Sequence, residues 1–149
     1  MTAAYPLPQV VEPPTCCGDE REGSACHTDA LEGATVDTAD ALFKGFADPT
    51  RIRILNVLAA GELCVCDIVE LLDVAQPAVS RHLAYLRRTG LVRATRDGKF
   101  AHYQLAPARD AVHQSLMACV VSCFRGIPSL DGERAAALRR VAERRTTPC

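Results

Sequence analysis

Residues 62–90 constrain this chain more than any other stretch. They read Glu62-Leu63-Cys64-Val65-Cys66-Asp67-Ile68-Val69-Glu70-Leu71-Leu72, then Asp73-Val74-Ala75, then Gln76-Pro77-Ala78-Val79-Ser80-Arg81-His82-Leu83-Ala84-Tyr85-Leu86-Arg87-Arg88-Thr89-Gly90. Two short amphipathic segments flank a tight connection. Proline at the start of the second suits a first helical turn, where the missing amide hydrogen costs nothing. Val79, Leu83 and Leu86 recur at i, i+4 and i+7 and share one face, which leaves Ser80, Arg81, His82, Arg87 and Arg88 facing elsewhere. This pattern predicts a helix-turn-helix whose second helix carries side chains suited to DNA. Two thiols stand where the first helix begins.

The 149 residues leave room for one domain with a sizeable core, plus a tail. No run approaches the roughly 18 apolar residues of a membrane helix. Residues 1–9 have neither the basic start nor the apolar core of a secretion signal. The expectation is therefore a cytoplasmic protein with no membrane partner. In a reducing compartment, eight cysteines serve metal binding or redox sensing better than scaffolding. The net charge of −1 hides a division: residues 76–103 carry six bases against one acid, and residues 1–42 carry eight acids against one base. The local basic excess supplies the electrostatic footprint that nucleic acid requires, and it coincides with the helix-turn-helix.

Residues 1–35 contain four prolines, several glycines and no sustained period, so they are expected to form a flexible arm. Cys16-Cys17 and Cys26-His27 lie within it. Val36, Ala39, Leu42, Phe43 and Phe46 show helical spacing over 36–47, with Thr35 or Asp37 as caps. Asp48-Pro49 starts a second, largely buried helix that Gly61 ends. Beyond the central unit, Asp97-Gly98 between two strand-like runs signals a hairpin, and a hairpin directly after the second helix makes the motif winged. Pro107 is expected to open a helix over 107–124, Gly126-Ile127-Pro128 to break it, and 130–145 to form an Ala- and Arg-rich last helix. The predicted fold is mainly α with a β-hairpin wing, in the order α-α-α-α-β-β-α-α. Its divisions are the arm (1–35), a winged helix-turn-helix for DNA binding and dimerisation (36–125), and a C-terminal helix and tail (126–149).

Cys64 and Cys66 are two residues apart. On a helix they would point to opposite sides, and in an extended segment they would share a face, so joint chelation needs a non-helical or distorted backbone at 62–67. Soft thiolates at this spacing suit soft ions. The plain alternative is two small buried side chains. Cys119 and Cys123, at i and i+4, lie on one helix face and could chelate an ion, but they share that face with Val112, Leu116 and Val120, and packing at a dimer seam is the favoured reading. For DNA, the start of the second helix offers Gln76, Ser80, Arg81 and His82 to base edges or phosphates, and the wing offers Arg93, Arg96 and Lys99.

Taken together, Asp48-Pro49-Thr50-Arg51-Ile52-Arg53-Ile54-Leu55, Glu62-Leu63-Cys64-Val65-Cys66-Asp67-Ile68, Gln76-Pro77-Ala78-Val79-Ser80-Arg81-His82-Leu83 and Gly90-Leu91-Val92 resemble the arsenic-repressor branch of the ArsR/SmtB family. The resemblance covers about 36–124. It implies a winged-helix homodimer, joined through its first and fifth helices, that represses a metal(loid)-resistance operon and leaves the operator DNA when a thiophilic ion binds. Arsenite-sensing relatives with Cys-Val-Cys often place a third cysteine three residues after the second. That position is Val69 here, so the missing sulfur is sought in the arm, at Cys16 and Cys17. The tandem cysteines point to As(III) or Sb(III), with Cd(II) or Pb(II) as the alternative inducer on the same residues. Asp110 and His113 depart from the spacing of zinc-sensing relatives and are not counted as ligands. A repressor released by thiol oxidation would use the same cysteines. A thioredoxin-like enzyme is argued against, because no Cys-x-x-Cys joins a strand to a helix.

Overall fold

The computed structural model describes residues 35–98 and 100–146. The elements run α1 (Val36–Phe46), α2 (Pro49–Leu58), β1 (Leu63–Cys64), α3 (Val65–Leu72), α4 (Gln76–Arg88), β2 (Val92–Asp97), β3 (Phe100–Leu105), α5 (Ala111–Ser122) and α6 (Pro128–Thr146). The predicted order holds, with one addition. The two-residue strand β1 pairs antiparallel with β3, setting Leu63 opposite Tyr103 and Cys64 opposite His102. The sheet order is β1-β3-β2, and Gly98 turns the β2–β3 hairpin at φ +57°, a conformation glycine adopts without steric cost.

Local chemistry accounts for most helix starts. The Asp48 carboxylate accepts from Arg51 N at 3.0 Å, and Pro49 follows it at the helix start, as the sequence predicts. Thr35 caps α1 through Thr38 N. The start of α5 differs from expectation. Ala106 N is bound to Leu91 O, which keeps the chain ahead of Pro107 in a connector. Asp110 then caps the helix by accepting from His113 N at 2.8 Å. Helix α6 begins two residues early, at Pro128, which occupies the first turn that proline favours.

The core is built on α2. Ile54, Leu55, Val57 and Leu58 are buried there with Leu42, Leu63, Ile68 and Leu72, and with Val79, Leu83 and Leu86 of α4. The i, i+4, i+7 stripe of α4 is thus the face that docks. Helix α6 lies against α2 and α3 and belongs to the same core, with Ala137 fully buried and Val141 beside Gly61. Asn56 Nδ2 donates to Leu130 O at 2.7 Å, and Arg53 pairs with Glu133 at 2.6 Å. Arg134 donates to the carbonyls of Val120 and Val121 at 2.7 and 2.9 Å, closing the C-terminal end of α5 where carbonyls lack helical partners.

Gly45 in α1 is buried against Leu91, and a Cβ built there would overlap Leu91 Cδ1. Because Leu91 is itself fully buried, it has nowhere to swing. Alanine gains about 1 kcal/mol in helix propensity, but overpacking a core costs about 1–3 kcal/mol. Gly45→Ala is therefore expected to lower the urea midpoint of unfolding, and a raised midpoint would show that α1 can shift away.

Candidate nucleic-acid interface and thiol site

Helix α4 opens at Gln76 with Ala75 as N-cap and no side-chain cap bond; Pro77 has no amide hydrogen, and the amides of Ala78 and Val79 donate to Ala75 O at 2.9 and 3.1 Å. Gln76, Ser80, Arg81, Arg87 and Arg88 are exposed, whereas Val79, Leu83 and Leu86 are buried. His82 is half-buried, and its Nδ1 lies 3.7 Å from Asp48 Oδ1, so the fold turns this ring toward the start of α2. Tyr85 lies between two guanidinium groups, Arg51 at 4.4 Å and Arg88 at 5.3 Å from the ring centre. These cation–π contacts hold Arg88 beside the helix. On the wing, Arg93 and Arg96 are exposed. They are three residues apart on one strand and so emerge on opposite faces of the ribbon. Lys99 lies outside the described residues.

Cys64 and Cys66 straddle the junction of β1 and α3. Cys64 is extended (φ −82°, ψ 165°) and serves as N-cap of α3, while Cys66 is already in the first helical turn. The extended stretch therefore ends one residue too early for the two sulfurs to share a face. Cys64 is buried and Cys66 exposed. Joint chelation would need the first turn of α3 to open.

Around Cys64 the structure assembles groups that periodicity did not single out. Its Sγ accepts from Asp67 N at 3.4 Å and lies 3.2 Å from Asp67 Oδ2, which also accepts from Cys64 N at 3.2 Å. This is a capping box with a thiol in the role usually filled by a hydroxyl. Burial is the largest influence on the Cys64 thiol and raises its pKa above the ordinary value, opposed by the Asp67 amide and Arg144. Asp67, itself 3% exposed, receives Arg140 Nη1 on Oδ1 at 2.9 Å and Arg144 Nη2 on Oδ2 at 2.6 Å. Arg140 also reaches Glu70 at 2.8 Å. The three-residue spacing of Cys64 and Asp67 was a readable capping signal. Nothing local announced the arginines of α6.

Cys119 is half-buried and Cys123 exposed at the end of α5. Their mutual hydrogen bond raises the Cys119 thiol and lowers that of Cys123. His113 is fully buried, accepts from Arg109 N at 3.3 Å through Nδ1, and is held below its usual pKa by burial. Among the described residues no group of three or more His, Cys, Asp or Glu side chains is arranged to hold a metal ion. Cys16, Cys17, Cys26, His27 and Cys149 lie outside the described residues. No helix among the described residues is long and apolar enough to cross a membrane.

Residues 48–94 match the family described as bacterial regulatory protein, arsR family. The arsenical resistance operon repressor of Escherichia coli is 52% identical over 67 residues, which span 44% of this chain and 57% of that protein. An arsenic resistance transcriptional regulator of Pseudomonas putida is 36% identical over 112 residues, 74% of this chain and 85% of its own length. Among solved structures, HlyU from Vibrio cholerae is similar at a TM-score of 0.52 and 31% identity, over 60% of this chain and 90% of that one.

Proposed function

Since this chain belongs to the arsR family of bacterial DNA-binding regulators, in its arsenic-repressor branch, we propose that it is a cytoplasmic homodimeric repressor of a metal(loid)-resistance operon. It holds operator DNA through α4 and the wing, and it lets go when As(III) or Sb(III) binds Cys64 and Cys66 together with Cys16 or Cys17. Its family consists of transcriptional regulators rather than enzymes. The observation that carries the reading is the place of Cys64: it caps the helix that packs directly on α4.

Three thiolates around arsenic would satisfy a soft, pyramidal centre. Each sulfur that joins gives up its proton to a departing hydroxide of arsenous acid, which leaves as water. Cys64 supplies one such sulfur from a buried, hydrogen-bonded position, and Cys66 supplies a second only if the first turn of α3 opens. Any change there is passed to α4 through the packed α3–α4 contact. An inducer can shift the equilibrium only by preferring the DNA-free conformation. Moving the repressor from 99:1 bound to 1:99 requires about a 10⁴-fold preference.

Dimerisation doubles the single helix-turn-helix so that it can span two successive major grooves. Exposed Val36 and Phe43 on α1 and Val121 on α5 support pairing through those helices. The deciding experiment is operator release titrated with As(III), Sb(III), Cd(II), Pb(II), Zn(II) and peroxide in reductant-controlled buffer. Release by As(III) and Sb(III) at the lowest concentrations is the expected result. Release by Cd(II) or Pb(II) alone would reassign the inducer, and release by peroxide alone would make the switch a redox one.

Operator affinity should fall steeply with salt. Arg81→Ala should weaken it by about 1–3 kcal/mol if the guanidinium meets a base, or lower the salt slope by about 1 if it meets a phosphate. Arg139→Ala, on the exposed face of α6, should do neither. Equal effects in fluorescence anisotropy would move the DNA surface away from α4.

A further inference from the structure

The motifs behind the repressor reading end near residue 124, yet the proposed sensing thiol is gripped from beyond that limit. Arg144 Nη2 donates to Cys64 Sγ at 2.9 Å while also holding Asp67 Oδ2. Arg144 Nη1 lies 3.4 Å from Nδ1 of His102, the residue paired with Cys64 across the sheet. Arg140, one helical turn earlier on the same face, takes the other oxygen of Asp67 and the carboxylate of Glu70. These arginines are not carried on a loose tail. The Asn56–Leu130, Arg53–Glu133 and Arg134–Val120 bonds and the burial of Ala137 fix α6 against α2 and α5, so the fork at Arg144 is aimed by the body of the domain.

We propose that Arg144 is a positioning residue for the sensing thiol, so that α6 determines how tightly Cys64 holds a thiophilic ion. The inference rests on the reading of Cys64 as a ligand. Asp67 Oδ2 and Arg144 Nη2 make opposite demands on the same sulfur. The carboxylate accepts the S–H hydrogen and favours the protonated thiol, whereas the guanidinium can donate only to a sulfur lone pair. Once the thiol proton has left, Asp67 keeps its two arginine partners. Arg144 then continues to donate to the sulfur, offsetting its charge and fixing its direction. Outer-shell donors of this kind typically change ion affinity by 10–100-fold when removed. Asp67 and Arg140 complete the arrangement by holding Arg144 in place.

The test uses the full chain and As(III), with binding followed by the ultraviolet sulfur-to-arsenic charge-transfer absorbance in a phosphine reductant. Arg144→Ala should weaken As(III) binding about 10–100-fold. It should also move the band to longer wavelength, because losing a hydrogen bond raises the filled sulfur orbitals. Arg144→Lys should recover part of both effects, since an ammonium donates to sulfur but cannot fork to Asp67. Arg140→Ala removes a partner of the same carboxylate and should leave the band in place. Wild-type affinity in Arg144→Ala would overturn the proposal, and so would equal losses in both alanine variants with no band shift. Should Arg144→Ala fail to fold, Arg144→Lys and Arg144→Gln carry the comparison. Cys64→Ser separates the two levels. If it binds As(III) normally, the ligand reading fails and this inference falls with it. If it loses binding while Arg144→Ala does not, only the role of Arg144 falls.

Discussion

Cys64→Ser should leave the protein on its operator and deaf to arsenite. Serine is a preferred helix N-cap, and its hydroxyl can accept from Asp67 N as the sulfur does, so α3 should still start at Val65. The buried docking face of α4, with Val79, Leu83 and Leu86, is untouched, and operator affinity should stay near wild type. What disappears is the soft donor, and with it the roughly 10⁴-fold conformational preference that release requires. Cys66→Ser should behave the same way, although Cys66 is exposed and makes no cap. The Cys16→Ser/Cys17→Ser pair should weaken or abolish release, because Val69 leaves α3 one sulfur short. Cys119→Ser/Cys123→Ser should retain the response. Anisotropy titrations of labelled operator with and without As(III) decide the matter. A normal response in the arm pair together with a lost response in the Cys119/Cys123 pair would move the sensor to α5.

The second large effect is on stability. Asp67→Ala should destabilise the fold by about 3 kcal/mol, the lower end of the cost of stripping one partner from a buried ion pair. Asp67 is the shared acceptor for Arg140, Arg144 and the amide of Cys64. Without it, Arg140 keeps only its bond to Glu70, Arg144 loses the carboxylate that it shares with Arg140, and the cap of α3 is half lost. The lower end is appropriate because the arginine side chains are 35% and 29% exposed and can turn partly toward water. For a chain of this size the melting temperature should fall by on the order of 10 °C. Adding Arg144→Ala to Asp67→Ala should restore part of the loss, since it removes a cation that has lost its Asp67 carboxylate. A melting temperature unchanged by Asp67→Ala would mean that α6 is held by its apolar contacts and the Asn56, Arg53 and Arg134 bonds.

The features of this protein whose signals are local are legible in the chain alone. The docking stripe of α4, the Asp48-Pro49 start of α2, the Asp97-Gly98 hairpin and the winged order are all written in residues no more than one or two turns apart. Backbone propensity, capping and side-chain periodicity act at that range, and they require no knowledge of distant partners. Pro107 is compatible with a first turn, yet α5 starts at Ala111, because a bond from Ala106 back to Leu91 holds the chain ahead of Pro107 in a connector. That Cys64 turns inward and Cys66 outward follows from β1 pairing with β3 some 40 residues on, which no local signal announces. The turn of His82 toward Asp48 likewise needs α2 and α4 packed together. The largest gap concerns α6. The sequence predicts an Ala- and Arg-rich helix there and no partner for its arginines, because a charged side chain carries no local sign of the group it will meet. Arg144 finds Cys64 across 80 residues of chain only once α2 and α3 have formed the surface on which α6 packs.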